Sequence, residues 1–162
     1  MPYIESDFAE RIAPLLSEYF NPKSMLYHYY HMAENNIRVY LQGESVRIKK
    51  YFYALRPILA CYWILDCKLP PSILFSELVE ACLPEALKPE IDALIDIKVN
   101  HPEKEEISPI RVIHDYLDMS MEKLGGYLRE LPNYKPLSWE PLNTFFLSEL
   151  DRAENESILS RE

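Results

Sequence analysis

The sequence predicts an all-α fold, a bundle of about six to seven helices around a central helix near residues 47–66. Three observations predict it. The 162-residue chain holds only 3 glycines against 13 prolines, and the prolines fall between segments of helical periodicity. The strong helix formers Leu, Glu, Ala and Lys are abundant. One stretch, Pro57 to Leu65, carries no charge, as a helix surrounded by protein requires.

Each element has its own signal. Asp7 and Glu10 have capping-box spacing and open a first helix to Tyr19, with Phe8, Ile12, Leu15, Leu16 and Tyr19 on one stripe. Asn21-Pro22 is a cap followed by a first-turn proline. The second helix runs to about Leu41 on a stripe of Leu26, Tyr29, Tyr30, Ala33, Ile37, Tyr40 and Leu41, and Gly43 is placed to end it in the left-handed conformation. The central helix, Arg47 to Asp66, puts Ile48, Phe52, Leu55, Leu59 and Tyr62 on one face. Lys49, Lys50, Tyr53 and Arg56 share another arc of roughly 120°, and Tyr51 points away from it toward the core. Pro57 cannot donate to the Tyr53 carbonyl. It is read either as a packing kink or as a device whose freed carbonyl helps shape a pocket beside Lys49 and Arg56.

Leu69-Pro70-Pro71-Ser72 breaks the chain before a short helix from Ile73 to Leu83, and a fifth helix runs from Pro89 to Lys98. Asn100 to Ile107 reads as a charged surface loop. Ser108-Pro109 opens a sixth helix to about Leu131, with Gly125-Gly126 as a place where it could loosen. Pro132 to Ser138 is a loop, Trp139 to about Asn155 a last helix, and no convincing sheet is expected. The expected organisation is one helical domain over residues 1–155 and a frayed tail over 156–162.

Composition narrows the function. The formal charge is -9, which argues against a general nucleic-acid surface. Between Arg38 and Arg56, however, five cations (Arg38, Arg47, Lys49, Lys50, Arg56) face one anion, Glu44. Such an island suits a small anionic ligand, or it pairs with carboxylates of neighbouring helices. Cys61, Cys67 and Cys82 form no CxxC motif, so a metal or disulfide framework is not expected, and a reducing, cytoplasmic setting fits. No uncharged stretch approaches the ~20 residues that span a bilayer.

No complete catalytic constellation stands out. GxGxxG, Walker, HExxH and GxSxG motifs are absent. His28 and His31 share a helix face without further ligands, and His101 and His114 read as solvated or structural. Arg111 and His114 are too close for the Arg-to-His spacing of HEPN ribonucleases. The pairs Asp92/Asp96 and Asp115/Asp118 read as solvated helix faces.

A family resemblance rests on longer blocks. These are Leu26-Tyr27-His28-Tyr29, Met32-Ala33, Asn36, the run from Arg47 through Ile48-Lys49-Lys50-Tyr51-Phe52-Tyr53-Ala54-Leu55-Arg56-Pro57 to Cys61, Trp63-Ile64, Pro70-Pro71 and Phe75. Together they resemble the C-terminal helical half of a family of predicted nucleotidyltransferases in the DNA polymerase beta superfamily, of the RNA-ligase-associated type. The likeness is dense from about residue 8 to residue 98 and thin afterwards, with KKYFYxLRPxLA its most specific block. The resemblance implies a domain that closes one side of a nucleotide cleft. It would use Arg47, Lys49, Lys50 and Arg56 against phosphate oxygens, and Tyr53 to stack on a base or donate through its hydroxyl. Magnesium and a nucleoside triphosphate are implied for the complete enzyme, with no cofactor in this chain. The superfamily's Gly-Ser turn and paired aspartates are missing, and no glycine precedes Gly43. The expectation is therefore a fragment or a truncated or split gene product, inactive alone, whose partner is a catalytic nucleotidyltransferase domain. The alternative is a non-catalytic helical module for protein interaction or self-association.

Overall fold

The computed structural model describes residues 7–100, 106–132 and 135–159. Among them the expected all-α architecture is present. The helices are α1 (Phe8–Tyr19), α2 (Pro22–Tyr40), α3 (Ile48–Cys67), α4 (Phe75–Cys82), α5 (Lys88–Asn100), α6 (Arg111–Glu130) and α7 (Glu140–Leu159), with a 3-10 turn at Glu85–Leu87. His101, the middle of the charged loop, part of the Pro132 to Ser138 loop and Ser160 to Glu162 lie outside the described residues. Where one domain was expected, contacts divide the chain into two compact units, one carrying α1 and α7 and the other running from Asn21 to Asn133.

In the larger unit α3 is the hub, packing against α2, α4, α5 and α6. The periodicity that built it on paper is realised: Ile48, Leu55 and Leu59 are buried, and from Pro57 to Cys61 every side chain is buried. Tyr51 is 0% exposed, as its position on the wheel requires. Each fully buried Leu or Ile of this helix contributes about 1.5–3 kcal/mol. The Asn21 side chain accepts from the Ser24 N–H at 3.0 Å and Pro22 starts α2, so that cap is as expected.

Other local expectations are corrected. Gly43 does not adopt a left-handed conformation. Helix α2 instead ends with the Leu41 N–H on the Ile37 carbonyl, reinforced by Gln42 Nε2 at 3.2 Å. The left-handed cap occurs at Lys68, with φ 55°, at the end of α3. Arg47 precedes α3, because Val46–Arg47 (β1) pairs antiparallel with Glu106–Ile107 (β2), a two-residue ladder where no sheet was expected. Helix α4 starts at Phe75, since the Ser72 hydroxyl accepts from the Leu74 N–H and turns the chain outside the helix; Ile73 is 85% exposed.

Helix α6 begins at Arg111, beyond the Ser108-Pro109 signature. Its cap residue is Ile110, whose side chain cannot accept a hydrogen bond; the buried Tyr51 hydroxyl accepts the Ile110 N–H at 2.8 Å instead. The same oxygen lies 2.9 Å from His114 Nε2. With the amide N–H donating to this oxygen, its own O–H is the donor placed toward that nitrogen. Helix α6 is continuous through Gly125-Gly126. A Cβ at Gly125 would sit 3.2 Å from the Tyr30 hydroxyl, so this glycine admits a neighbouring ring rather than loosening the helix.

The α1–α7 unit is built differently. Among the residues whose burial is described, none of either helix is buried. Phe8 and Phe145 rings stand 5.8 Å apart, Arg11 bonds Glu149 through Nε at 3.0 Å, and the Tyr19 hydroxyl donates to the Ser138 carbonyl. Asp7 does precede α1, yet its side chain makes no cap bond. Its backbone, at φ -74° and ψ 5°, lacks the extended geometry that aims a cap side chain at the first turn, and the carboxylate pairs with Arg11 and Arg152. Helix α7 reaches Leu159, past the expected end near Asn155.

Candidate functional site

The expected phosphate-binding residues sit at the start of α3, where the chain returns antiparallel to α2. A short connection from Leu41 to Ser45 makes this an αα-hairpin, so side chains at matching distances from the turn meet across it. Lys50 thereby lies against the end of α2, its Nζ 3.2 Å from the Tyr40 ring centroid and 5.1 Å from that of Tyr53. The ammonium is held between two aromatic faces, a cation–π arrangement worth about 0.5–1 kcal/mol at an exposed site. Tyr40 and Tyr53 are 40% and 50% exposed, so both rings also present a face to solvent.

One turn further along the hairpin, Asn36 Nδ2 donates to the Tyr53 carbonyl at 3.0 Å and to the Met32 carbonyl at 2.8 Å. The Tyr53 carbonyl is the group that Pro57 leaves without its helical donor. The oxygen is therefore satisfied by α2 and is not free to shape a pocket, which favours the packing reading of Pro57. The amide also ties the backbone that carries Tyr53 to α2.

The remaining cations differ in their engagement. Lys49 is exposed and has no ion pair or hydrogen bond with a described residue. Arg56 is half-buried, and its Nη2 donates to the Ile73 carbonyl at 2.6 Å, bracing the segment ahead of α4. Arg47 is exposed beside the two-residue ladder, with Nε 3.3 Å from Glu106 Oε1. The Ser45 hydroxyl donates to the other oxygen of that carboxylate at 2.8 Å, and Ser45 and Arg47 together hold the Glu106 carboxyl below its usual range. Arg47 thus matches the ion-pair reading of the basic island, while Lys49, Lys50 and Tyr53 form its open face. Sequence reasoning placed Tyr40 only in an apolar stripe and gave Asn36 no role. Counting outward from the turn at Gly43 to Ser45 would have paired them with Lys50 and Tyr53.

Two clefts of about 450 and 460 Å³ lie near the other end of α3 and touch none of these residues. Among the described residues no three His, Cys, Asp or Glu side chains are grouped to hold a metal. No described helix is long and apolar enough to cross a membrane. Burial pushes the Cys61 thiol up to about 12, so it is an inert core residue whose Sγ lies 3.8 Å from the Leu26 carbonyl.

Fold and site define a helical domain with a cationic, tyrosine-bearing face at the open end of a helical hairpin. The chain belongs to the RNA repair pathway DNA polymerase beta family, RlaP, whose family model matches residues 1–148. The match runs well past residue 98, where the resemblance in the sequence thins. The chain is also 39% identical over 147 residues to a Bacillus subtilis (strain 168) protein named "Uncharacterized protein YcgL". That alignment covers 88% of this chain and 55% of the relative, so the chain spans about half the length of the curated relative it matches. No solved structure matches the chain.

Proposed function

We propose that this chain is the nucleotide-side helical domain of a nucleotidyltransferase, acting in the cytoplasm beside a catalytic domain that supplies the Gly-Ser turn, the paired aspartates and the magnesium they hold. One observation carries the reading: Lys49, without an ion pair to a described residue, stands next to a Lys50 fixed between two half-exposed tyrosine rings, within the family's matched segment. Lys49 neutralises phosphate oxygens of a nucleoside triphosphate. Lys50 adds charge from a position its aromatic neighbours hold, so little side-chain freedom is lost on binding. Tyr53 offers its outer face to the base. Arg56 and Arg47 join only by exchanging their present partners, Ile73 and Glu106.

The test is titration with ATP and GTP of the chain alone and mixed with a separately expressed catalytic domain from a longer relative. Lys49→Ala and Lys50→Ala each weaken nucleotide binding several-fold in the mixture, as expected for about 1 kcal/mol per partly exposed charge contact. Nucleotide affinity of the mixture that is the same for both variants as for the parent chain defeats the proposal.

A second reading is favoured by the α1–α7 unit. None of its residues described for burial is buried, while Trp139 is 79% and Phe146 59% exposed. Such a surface suits a helical interaction module. Sedimentation as a strict monomer, alone and with the catalytic domain, argues against it.

A further inference from the structure

Helices α1 and α7 run antiparallel. The Tyr19 hydroxyl meets the Ser138 carbonyl at one end of the pair, and Arg152 meets Asp7 at 3.0 Å at the other. On each helix the half-buried residues, among them Leu15 of α1 and Phe145 of α7, mark the side turned to the other helix. Counted from that side at about 100° per residue, Ala9, Ala13 and Leu16 fall on one flank of α1, roughly 85–145° away. Trp139, the residue before α7, falls with Phe146 and Leu150 on one flank of α7, roughly 80–120° away. Both helices are right-handed and they point in opposite directions, so the same angular sense leads to the same side of the pair. All six side chains are exposed there.

Charge avoids this side. Arg11, Glu149 and Arg152 are engaged between the two helices. Glu10, Glu18, Glu140, Asp151 and Glu154 lie beyond roughly 150° from the facing sides, away from the apolar flanks. From the exposed fractions of its residues the face offers roughly 500–600 Å² of apolar surface. Two copies meeting through it would bury about 1,000–1,200 Å², the lower end of what a specific interface needs.

The face is also complementary to itself. The Asp7–Arg152 and Arg11–Glu149 pairs set a register that puts Ala13 level with Phe146 and Ala9 level with Leu150. Small residues thus occupy the α1 half and large ones the α7 half at the same heights. A two-fold axis parallel to the helices keeps those heights and lays α1 of one copy on α7 of the other. Each Phe146 then meets an Ala13, and each Leu150 an Ala9. An unlike partner requires no such match within one face.

We propose that α1 and α7 pair with those of a second copy of this chain as a four-helix bundle, burying this face about a two-fold axis with the carboxylates left in water. The proposal rests on the reading of this unit as an interaction module and names its partner.

Sedimentation equilibrium of the full chain from about 1 to 500 µM tests it, with a monomer–dimer Kd of roughly 1–100 µM expected. Phe146→Asp, which puts a carboxylate on the buried face, raises that Kd more than about tenfold. Leu147→Asp, an exposed position on the other side of the same helix, leaves it unchanged. Phe146→Asp mixed with Ala13→Lys forms a mixed dimer tighter than either variant forms alone, because the two-fold arrangement sets the new charges against each other. Circular dichroism confirms that the variants fold. A monomer up to about 500 µM overturns the proposal. So does a dimer indifferent to Phe146→Asp, one weakened equally by Leu147→Asp, or the absence of a preferred mixed dimer. The broader reading as an interaction module fails only if the chain also does not associate with the separately expressed catalytic domain.

Discussion

Replacing Tyr51 by Phe removes one oxygen from the centre of the larger unit and no volume that could collapse. That oxygen accepts the Ile110 N–H at 2.8 Å and contacts His114 Nε2 at 2.9 Å, so it serves as the cap that Ile110 cannot be. Two hydrogen bonds are lost at about 0.5–1.5 kcal/mol each, and the half-buried amide left without a partner adds toward the upper end. The expected loss is about 2–3 kcal/mol, or a fall in Tm of roughly 5–10 °C for a chain of this length. Urea unfolding of Tyr51→Phe followed by circular dichroism gives the number directly, and an unchanged m-value would show that only the native state was altered. The same geometry places the His114 proton on Nδ1, because Nε2 must accept from the phenol; imidazole 15N shifts distinguish the two tautomers. A stability loss under about 0.5 kcal/mol, or a proton found on Nε2, would refute the capping argument.

Further expectations come from other sites. Gly126→Ala, where the nearest atom is 4.0 Å away, should stabilise by about 0.5–1 kcal/mol in urea unfolding, while Gly125→Ala should gain nothing or lose, because its Cβ meets Tyr30 at 3.2 Å. Lys68→Gly should stabilise by about 0.5–1 kcal/mol by relieving the left-handed cap at φ 55°, again read from the urea midpoint. Asn36→Ala should cost about 1 kcal/mol, and less in a Pro57→Ala background, where the helix donor to Tyr53 is restored; equal costs in both backgrounds would break the link between the two residues. Arg11 holds the carboxyls of Asp7 and Glu149 below their ordinary values of 3.8 and 4.5. A lowered folded-state pKa means the unfolded chain binds more protons, so the contribution is present above those values and lost as pH falls through the lowered ones. Protection factors of the α1 amides, which remove the intrinsic pH dependence of exchange, should fall across that acid range and stay constant between pH 6 and 8.

The parts of the fold that were legible in the sequence are those set by a repeating signal. The α3 core face follows from one hydrophobic period, and the Asn21-Pro22 cap from two adjacent residues that need no distant partner. Two of the misread features depend on residues far apart in the chain, and one on neighbours that the local motif does not reveal. Ser108-Pro109 looks like a helix start, but Tyr51, 59 positions before Ile110, decides where α6 begins. Gly43 looks like a helix stop, yet the helix is ended by backbone and Gln42 bonds, and the left-handed position falls on a lysine. Gly125 looks like a weak point, and its meaning lies in a tyrosine on another helix. At Ser108-Pro109 and Gly125 a local propensity of about 1 kcal/mol is outweighed by one tertiary contact of similar size.

The basic arc shows how far a helical wheel can go and what must be added. The wheel grouped Lys49, Lys50, Tyr53 and Arg56 from angles alone, but an angle does not reveal which cation is occupied. The hairpin supplies that information. With the turn near residues 43–45, Tyr40 meets Lys50, Asn36 meets Tyr53, and Leu26 meets Cys61. The three contacts step outward from the turn in order. Pro57 belongs to the same scheme: it removes a donor from the Tyr53 carbonyl four residues back, and the register brings Asn36 to that oxygen. The proline and the asparagine thus act together to tie the backbone carrying Tyr53 to α2, with Lys50 lying between the Tyr53 ring and Tyr40. A ligand that reaches this face meets two rings and a cation already in place, with Lys49 left to adapt to it.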